Sequence, residues 1–378
     1  ADGQLHQLGI GFAHYATPPL ASDACDIGCT PAGFNALGAG CSTTSASLIH
    51  GLQGTLVPRT EINPFTGFYP YPFTAFGQVG DAIYKRLQVP LADISDPNAL
   101  YFVETQLITE SETTPETRAN NVSYRQVTFT PGSASANLVG PTYTEQPAIF
   151  AWRDHGLGIG MPDPDVLISE VTIPNNGIIH VGSKATDLGN FKDWRYDYVI
   201  HNQNSSDNIG SISQGIVYWD EITFSDVIYH DNLDEQIDGS DWIDEEISCP
   251  TILFWHASEV ETDPFANTIR WGTSYSFSYL HVPPAAFEPG YGITLGRTNG
   301  SGLVEFNAGA IYPGIVTEPC ICLGDLAEPF GVLNFFDVSA FLGAYGAQDP
   351  NVDFAEPFGT FNFFDVSVFL SAFAAGCP

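Results

Sequence analysis

Apolar and polar residues alternate along much of the first 317 residues. In NTIRWGTSYSFSYLHV (267–282), positions 269, 271, 275, 277 and 279 are apolar or aromatic, and the positions between them are mostly Gly or Ser. This period of two is typical of a half-buried strand. Further strand-like runs are YFVETQLI (101–108), YRQVTF (124–129), VLISEVTI (166–173), IIHVG (178–182), WRYDYVIH (194–201), GIVYW (215–219) and TILFW (251–255). Many short strands without intervening helices predict a mainly β protein, an antiparallel β-sandwich or jelly roll.

A helical period replaces this alternation near the C-terminus. DLAEPFGVLNFFDVSAFLGAY (325–345) recurs 28 residues later as DFAEPFGTFNFFDVSVFLSAF (353–373). In each copy Asn334 or Asn362, an N-cap residue type, is followed three positions on by Asp337 or Asp365. Apolar residues then fall at i, i+3, i+4 and i+7: Val338, Phe341, Leu342 and Tyr345, and Val366, Phe369, Leu370 and Phe373. We expect two short helices packed face to face, the first ending at Gly346.

Turn-rich segments divide the chain into three predicted domains. HGLGIGMPDPD (155–165) has the Gly and Pro density of a linker, although one continuous two-sheet unit remains an alternative. We therefore predict an N-terminal β-rich domain with long disulfide-pinned loops (1–160), a β-sandwich domain (161–317) and a small two-helix module (318–378). The aromatic, proline-rich stretch PFTGFYPYPF (64–73) is interpreted as a packed loop, with a binding surface as the alternative.

Composition and charge limit the classes of partner. The chain has 27 Phe, 16 Tyr and 6 Trp among 378 residues, which argues against wholesale disorder. Its 44 Asp and Glu against 11 Lys and Arg give a net charge of −33, which repels phosphate backbones and anionic lipid. No apolar run is long enough to span a bilayer. We expect no nucleic-acid partner and no membrane insertion.

Cysteine usage points to an oxidising compartment. The seven cysteines lack CxxC spacing and so fit disulfides better than zinc; they are Cys25, Cys29, Cys41, Cys249, Cys320, Cys322 and Cys377. Residue 1 is Ala and the single methionine is Met161, so we expect a removed signal peptide and a secreted or cell-surface protein. Two antiparallel units would bring their ends together, which predicts that Cys377 pairs with Cys320 or Cys322.

The terminal repeat resembles a dockerin, in which two loop-helix units hold calcium as half an EF-hand does. GVLNFFDVSAFL (331–342), GTFNFFDVSVFL (359–370) and the flanking cysteines carry the resemblance, which also extends to cysteine-flanked tails of secreted planctomycete proteins. It implies calcium as the cofactor, held by Asp325, Asp337, Asp353 and Asp365. Each loop is one residue longer than the pattern, with Ala and Pro at ligand positions. We therefore expect weak or no calcium binding, with Glu328 and Glu356 as substitute ligands.

The rest of the chain is similar to uncharacterised secreted proteins of the same bacteria. LGAGCSTTSAS (37–47), PRTEINPFTGFYPYPF (58–73), QPAIFAW (146–152), WRYDYVIHNQNS (194–205) and NTIRWGTSYSF (267–277) carry this likeness. It implies an extracellular address and an all-β body, and it implies no activity.

No catalytic signature marks the chain as an enzyme. HExxH, G-x-S-x-G and a Walker loop are all missing, and polysaccharide hydrolysis stays the less favoured reading because no carboxylate pair stands out. Histidines 180, 201, 230, 256 and 281 lack ligand spacing and are interpreted as packed or surface side chains. The acidic run DNLDEQIDGSDWIDEE (231–246) is a solvated loop or a second calcium site, with oxygen ligands from Asp231, Asp234, Asp238 and Asp241.

The charge distribution suggests self-association. The last 81 residues hold nine carboxylates and no Lys or Arg, whereas all 11 bases lie at or before Arg297. Such polarity favours head-to-tail contacts that propagate as open chains. The sequence therefore predicts a structural or interaction subunit that binds other copies of itself, an extracellular scaffold or a polysaccharide. The alternative is a glycan-binding module, with strand aromatics stacking on sugar rings.

Overall fold

A computed structural model gives the fold of most of the chain. It describes residues 3–11, 23, 26–32, 38–41, 59–70, 87–110, 112–130, 135–190, 193–215, 223–225, 227–229, 242–247, 252–257, 266–281, 286–298, 303–312, 324–328, 332–355 and 359–375. The statements below concern these residues.

The described residues are mainly β, as the alternating pattern predicts. In chain order the strands are β1 Tyr101–Gln106, β2 Val122–Phe129, β3 Ala136–Thr144, β4 Leu167–Ile173, β5 Gly177–Asn190, β6 Asp193–Asn202, β7 Asn208–Gly215, β8 Thr223–Phe224, β9 Ile243–Ile247, β10 Ile252–His256, β11 Thr273–His281, β12 Ala286–Thr298 and β13 Leu303–Tyr312. The helices are α1 Pro115–Ala119, α2 Phe150–Asp154, α3 Phe335–Gly346 and α4 Phe363–Ala375, with 3-10 turns at Arg59–Glu61 and Pro350–Val352. No described helix is long and apolar enough to cross a bilayer.

The strands form three sheets, and every described pairing is antiparallel. A small sheet has the order β1-β2-β3, and two five-stranded sheets have the orders β4-β5-β6-β11-β8 and β13-β12-β7-β10-β9. The two larger sheets face each other as a sandwich. Ser183 of β5 accepts a hydrogen bond at its hydroxyl from the Ile311 N–H of β13 (3.0 Å), and the Ser169 hydroxyl of β4 donates to the Gly309 carbonyl (2.6 Å).

The sandwich core confirms the period of two in β11. Tyr275, Phe277 and Tyr279 are all buried, on the face that points toward the second large sheet. Buried hydroxyls are paired there: the Tyr279 hydroxyl donates to Gln214 Oε1 (2.8 Å), and the Gln214 amide donates to the Tyr198 hydroxyl (2.9 Å). Burial raises the pKa of both tyrosines, so both hydroxyls stay protonated.

The opposite face of the same sheet is polar, and it is buried as well. The N-terminal segment (3–11) lies against it, because the Ser276 hydroxyl donates to the Leu5 carbonyl (2.7 Å) and the Gln4 amide donates to Asp197 (2.6 Å). Trp152 of α2 covers the neighbouring area, and its indole N–H donates to the Gly3 carbonyl (2.8 Å). The body thus has a third layer outside the sandwich.

The chain divides into two compact units. The first, called the body here, comprises residues 1–214, 220–245 and 254–314; the second comprises 215–219, 246–253 and 315–378. The predicted boundary at residue 160 lies inside the body. There the predicted linker is a tight turn, in which the Leu157 N–H donates to the Met161 carbonyl (3.1 Å).

The second unit contains the predicted helix pair, called the tail module here. Phe341 of α3 stacks on Phe369 of α4, its own counterpart in the repeat, with ring centroids 4.0 Å apart. Contact between counterparts is what a two-fold relation between the repeats requires. Helix α3 ends at Gly346 as predicted, but the left-handed residue that follows is Gln348 (φ 54°), whose N–H donates to the Tyr345 carbonyl (3.1 Å).

Candidate functional site

Both tail helices begin with an asparagine cap that fixes two phenylalanines beside it. Asn334 Oδ1 accepts the Phe336 N–H (2.8 Å), and Asn362 Oδ1 accepts the Phe364 N–H (2.8 Å). The cap satisfies donors that a helix start leaves unpaired. It therefore sets the backbone from which each phenylalanine pair projects.

These four rings are largely in solvent. Phe335 and Phe336 are 77% and 64% exposed, and Phe363 and Phe364 are 75% and 63% exposed. Scattered exposed apolar residues are normal, but grouped ones mark interaction sites. We call Phe335, Phe336, Phe363 and Phe364 the phenylalanine pairs.

The predicted helix stripe is correct for most positions and wrong for one in each repeat. Val338, Phe341 and Tyr345 join the module core, together with the counterparts of all three in α4. Leu342 and Leu370 are instead 59% and 53% exposed. The stacked rings of Phe341 and Phe369 occupy the centre of this core, and Leu342 and Leu370 lie outside it.

Asp337 and Asp365 tie each loop to its helix. The Asp337 carboxylate accepts the N–H groups of Leu326, Ala327 and Asn334, each at 2.8 Å. Burial opposes ionisation of Asp337, but these N–H groups outweigh it and lower its pKa. In the second repeat Asp365 accepts the N–H groups of Ala355 (2.9 Å) and Asn362 (2.8 Å), and the Asn362 N–H is the largest cause of its lowered pKa.

Hydrogen bonds to backbone N–H groups hold several acidic side chains of the two loops. Among the described residues, no three acidic, histidine or cysteine side chains are placed to hold a metal ion. Asp337 directs its oxygens to backbone N–H groups, Glu328 is exposed, and one Asp353 oxygen accepts the Gly359 N–H. Asp325 begins the first loop, as Asp353 begins the second. Hydrogen bonds therefore shape these loops, and weak calcium binding stays a prediction.

Several predicted site residues lie outside the described residues. They are Asp231, Asp234, Asp238, Asp241, Glu356, Cys25, Cys249, Cys320, Cys322 and Cys377. Cys29 and Cys41 are described and form a disulfide. This bond confirms the reading of the cysteines as disulfide-forming for one pair.

The described cations of the body are engaged by its own groups. Lys184 pairs with Asp163 (2.8 Å), and Arg195 pairs with Asp197 (2.9 Å). The other described contacts of this kind are Arg153 with Asp154, Arg118 with the Glu112 carbonyl, Arg125 with the Val139 carbonyl, Arg270 with the Ala266 carbonyl, and Arg59 with the Trp271 carbonyl. These contacts orient the basic side chains, and those made to carbonyl groups leave the positive charge in place.

The body carries its own exposed apolar turn. Leu157, Ile159 and Met161 are 59%, 49% and 57% exposed. Gly158 and Gly160 (φ 137° and 67°) supply the backbone conformations that such a tight turn needs. We call residues 157–161 the apolar turn.

Few aromatic rings of the described body are exposed enough to stack on a sugar ring. Tyr275 and Phe277 are core residues, and the guanidinium of Arg59 lies 3.8 Å from the centre of the Trp271 ring. In the described body, Phe68 is the aromatic residue that is mostly in solvent, at 59% exposed.

A largely buried polar cluster connects the small sheet to the sandwich. His180 of β5 and His201 of β6 are cross-strand partners, and Glu104 of β1 lies over them, with Oε1 3.9 Å from His201 Nε2. The sequence analysis interpreted His180 and His201 as packed or surface side chains, and it did not identify Glu104 as a candidate site residue. A signal existed, because Glu104 is in phase with Phe102, which stacks on buried His155.

A small crevice lies beside the N-terminal segment (3–11). Its volume is about 10 Å³, and Gln4, Trp152 and Asp197 are among its lining residues. That volume is room for about one water molecule, far below the size of a substrate pocket.

Comparison with known proteins adds no family. The sequence matches no family model, and no curated protein matches it. The resemblance to dockerins therefore stays a prediction.

Proposed function

We propose that this protein is a secreted structural or interaction protein that binds further copies of itself through its tail module. The observation that carries the proposal is the set of exposed phenylalanine pairs at equivalent positions of two repeats. Cysteine usage supports the extracellular location. The loop-helix repeat supports a dockerin-like docking role, and the antiparallel sheets are compatible with a jelly-roll body.

The second copy would offer the apolar turn as the docking surface. Leu157, Ile159 and Met161 are exposed in their own chain, so they stay available to a neighbour. In such a chain the tail module of one copy contacts the body of the next. One tail module and one apolar turn then remain free at the two ends. Such contacts extend into filaments when the rotation does not close.

Apolar contact would drive this association against electrostatic repulsion. With a net charge of −33, two copies repel each other at low ionic strength. Salt screens that repulsion, because the Debye length falls to about 3 Å at 1 M. We therefore expect association to strengthen with salt, whereas ion-paired assembly would weaken.

Analytical ultracentrifugation of the full chain tests the proposal. The wild type is expected to form larger species as its concentration and the salt concentration rise. Replacing all four residues of the phenylalanine pairs by Ser should leave a monomer, as should serine at Leu157, Ile159 and Met161. A matched variant with Leu87 and Leu91 replaced by Ser, which are 54% and 55% exposed, should assemble normally.

Two outcomes would overturn the proposal. One is a wild-type protein that stays monodisperse at high concentration and high salt. The other is assembly that survives the serine variants unchanged. Retention of a monomeric wild type on a polysaccharide column would favour the glycan-binding alternative instead.

A further inference from the structure

Three titratable residues meet where the small sheet joins the sandwich: two buried histidines and Glu104, whose side chain is 21% exposed. Glu104 of β1, His180 of β5 and His201 of β6 each belong to a different strand. Both histidines are 2% exposed, and their rings stack with centroids 6.1 Å apart. Nothing in the proposed docking role uses them.

Hydrogen bonds determine which nitrogen of the His180 imidazole carries the proton. The Gln203 amide donates to the Ala119 carbonyl (2.6 Å), so its Oε1 is the acceptor for His180 Nε2 (2.8 Å). His180 Nδ1 is then a buried lone pair without a hydrogen-bond partner. His201 Nδ1 lies 2.9 Å from the Ser274 hydroxyl, and its Nε2 faces Glu104 with no hydrogen bond. Each buried ring thus has one nitrogen without a hydrogen-bond partner, and in His180 that nitrogen carries the lone pair.

Glu104 links the layers physically. Its Oε2 accepts the Ala148 N–H (2.6 Å), just before α2, while its Oε1 faces His201 of the sandwich. Strand β1 is paired with β2 along its whole length. Displacing Glu104 from the cluster would therefore loosen the small sheet and the start of α2 together.

Burial dominates the protonation of all three groups. It lowers the pKa of His180 to about 4, and the His201 charge adds to this, against opposing effects of Gln203 and Glu170. Burial also lowers the pKa of His201 to about 4. It raises the pKa of Glu104 to about 7, with the Ala148 N–H and the Arg59 charge opposing.

We propose that Glu104, His180 and His201 form an acid-sensitive latch, which holds the small sheet on the sandwich near neutral pH and releases it on acidification. Opening exposes the three groups to water. The histidines then take up protons at their ordinary pKa of 6.5, and Glu104 loses its proton at its ordinary pKa of 4.5. Near pH 5.5 the open form gains two protons on histidine and loses one from Glu104, a net gain of about one.

The sign follows from linkage. A depressed histidine pKa stabilises the closed form above pH 6.5, and that stability is lost as pH falls toward 4. A raised glutamate pKa has the opposite effect: its stabilisation is full below pH 4.5 and is lost as pH rises through 7. Two histidines outweigh one glutamate, so the open population rises by almost tenfold for each pH unit between about 6 and 5.

Other groups around the cluster do not reverse this balance. Arg59 acts on Glu104, and Glu170 of β4 acts on His180. The strand β11 contributes neutral Ser274, α1 contributes the Ala119 carbonyl, and Phe150 of α2 packs edge-on against His180. In the N-terminal segment, Gln7 accepts the Ser274 N–H and His6 contacts Gln4.

Hydrogen exchange of the full chain, read by mass spectrometry on β1 and β2 peptides and corrected for intrinsic rates, tests the latch. Glu104→Gln imitates the protonated acid, so its opening should become steeper, approaching a hundredfold for each pH unit. The double variant His180→Gln, His201→Gln leaves only Glu104 to titrate. Its pH dependence should reverse, with opening increasing as pH rises from 4.5 to 7.

Partly exposed His256, which stacks on Phe254 away from the cluster, gives the matched control. His256→Gln should behave as the wild type. The same pH slope in Glu104→Gln and wild type would overturn the latch, and so would an unreversed slope in the double variant. If the double variant fails to fold, the Glu104→Gln slope alone decides.

Discussion

The body and the tail module place polar and apolar groups in opposite ways. The body buries a polar sheet face, including His180 and His201, under a third layer of chain. The tail module leaves Phe335 and Phe363 about three-quarters exposed. A small two-helix module buries a smaller share of its surface than a large domain does, so some of its apolar side chains stay in solvent. The body has enough chain to cover a polar sheet face and pair the groups on it. The body covers its polar face with its own chain, whereas the tail module leaves apolar rings in solvent.

The largest expected effect is the difference in stability cost between a core phenylalanine and an exposed phenylalanine of the tail module. Phe341→Ala removes half of the stacked core pair and should cost the tail module about 3–5 kcal/mol. Phe335→Ala removes a ring that lies in solvent and should change stability by less than about 0.5 kcal/mol. Urea titration followed by hydrogen exchange of α3 and α4 peptides in the full chain measures both. Equal costs would show that the phenylalanine pairs are part of the fold.

A buried turn provides the corresponding test in the body. Asn202 donates to the Asp207 carbonyl (3.1 Å) and accepts the Ser205 N–H (2.8 Å), all in the interior. Asn202→Ala leaves these groups unpaired and should cost about 2 kcal/mol.

The partly exposed Asn176 is the control, since it accepts the Ser206 N–H (2.9 Å) where water can replace it. Asn176→Ala should cost no more than about 1 kcal/mol. Chemical denaturation gives both values, and a reversed order would contradict the buried role of Asn202.

The smallest effect concerns the acid response of the tail module. Because the pKa of Asp337 lies below its ordinary 3.8, its stabilisation is full above that value and is lost as pH falls through the lower pKa. Asp337→Asn should lower the melting temperature by several degrees at pH 6 and by progressively less below pH 4. Exposed Glu328→Gln serves as the control and should show no such change. A constant difference between Asp337→Asn and wild type at all pH values would exclude the carboxylate charge as the cause.

Strands such as β1, β6 and β11 were predicted from the sequence, whereas β3, β7, β12 and β13 were not, and neither was the covering of the polar face. Tyr275, Phe277 and Tyr279 mark one face of β11 as core, and the structure confirms it. Ser276 and Ser278 on the other face have the sequence pattern of solvent-facing residues, yet both are buried. Hydrogen bonds to residues about 270 positions away bury that face, and alternation within a strand carries no signal of such a distant partner.

In the tail module, too, local contacts were predictable from the sequence and the exposure of side chains was not. The caps Asn334 and Asn362 and the partner Asp337 were predictable, since they act within three residues. The exposure of the phenylalanine pairs was not, because hydrophobicity predicts burial and says nothing of a core already filled by Phe341 and Phe369. Leu342 was misplaced for the same reason.

The side chain of Gln7 has a consequence for how copies of this protein can meet. Its amide donates to the Gly272 carbonyl (3.0 Å) and accepts the Ser274 N–H (2.8 Å), as a neighbouring strand would. Backbone groups at the rim of a sheet are otherwise templates for a strand from another molecule, and this is how aggregates and amyloid grow. One amide thus closes that stretch of β11 to strand addition. At this stretch of β11, contact with another copy is left to side-chain surfaces rather than to backbone pairing.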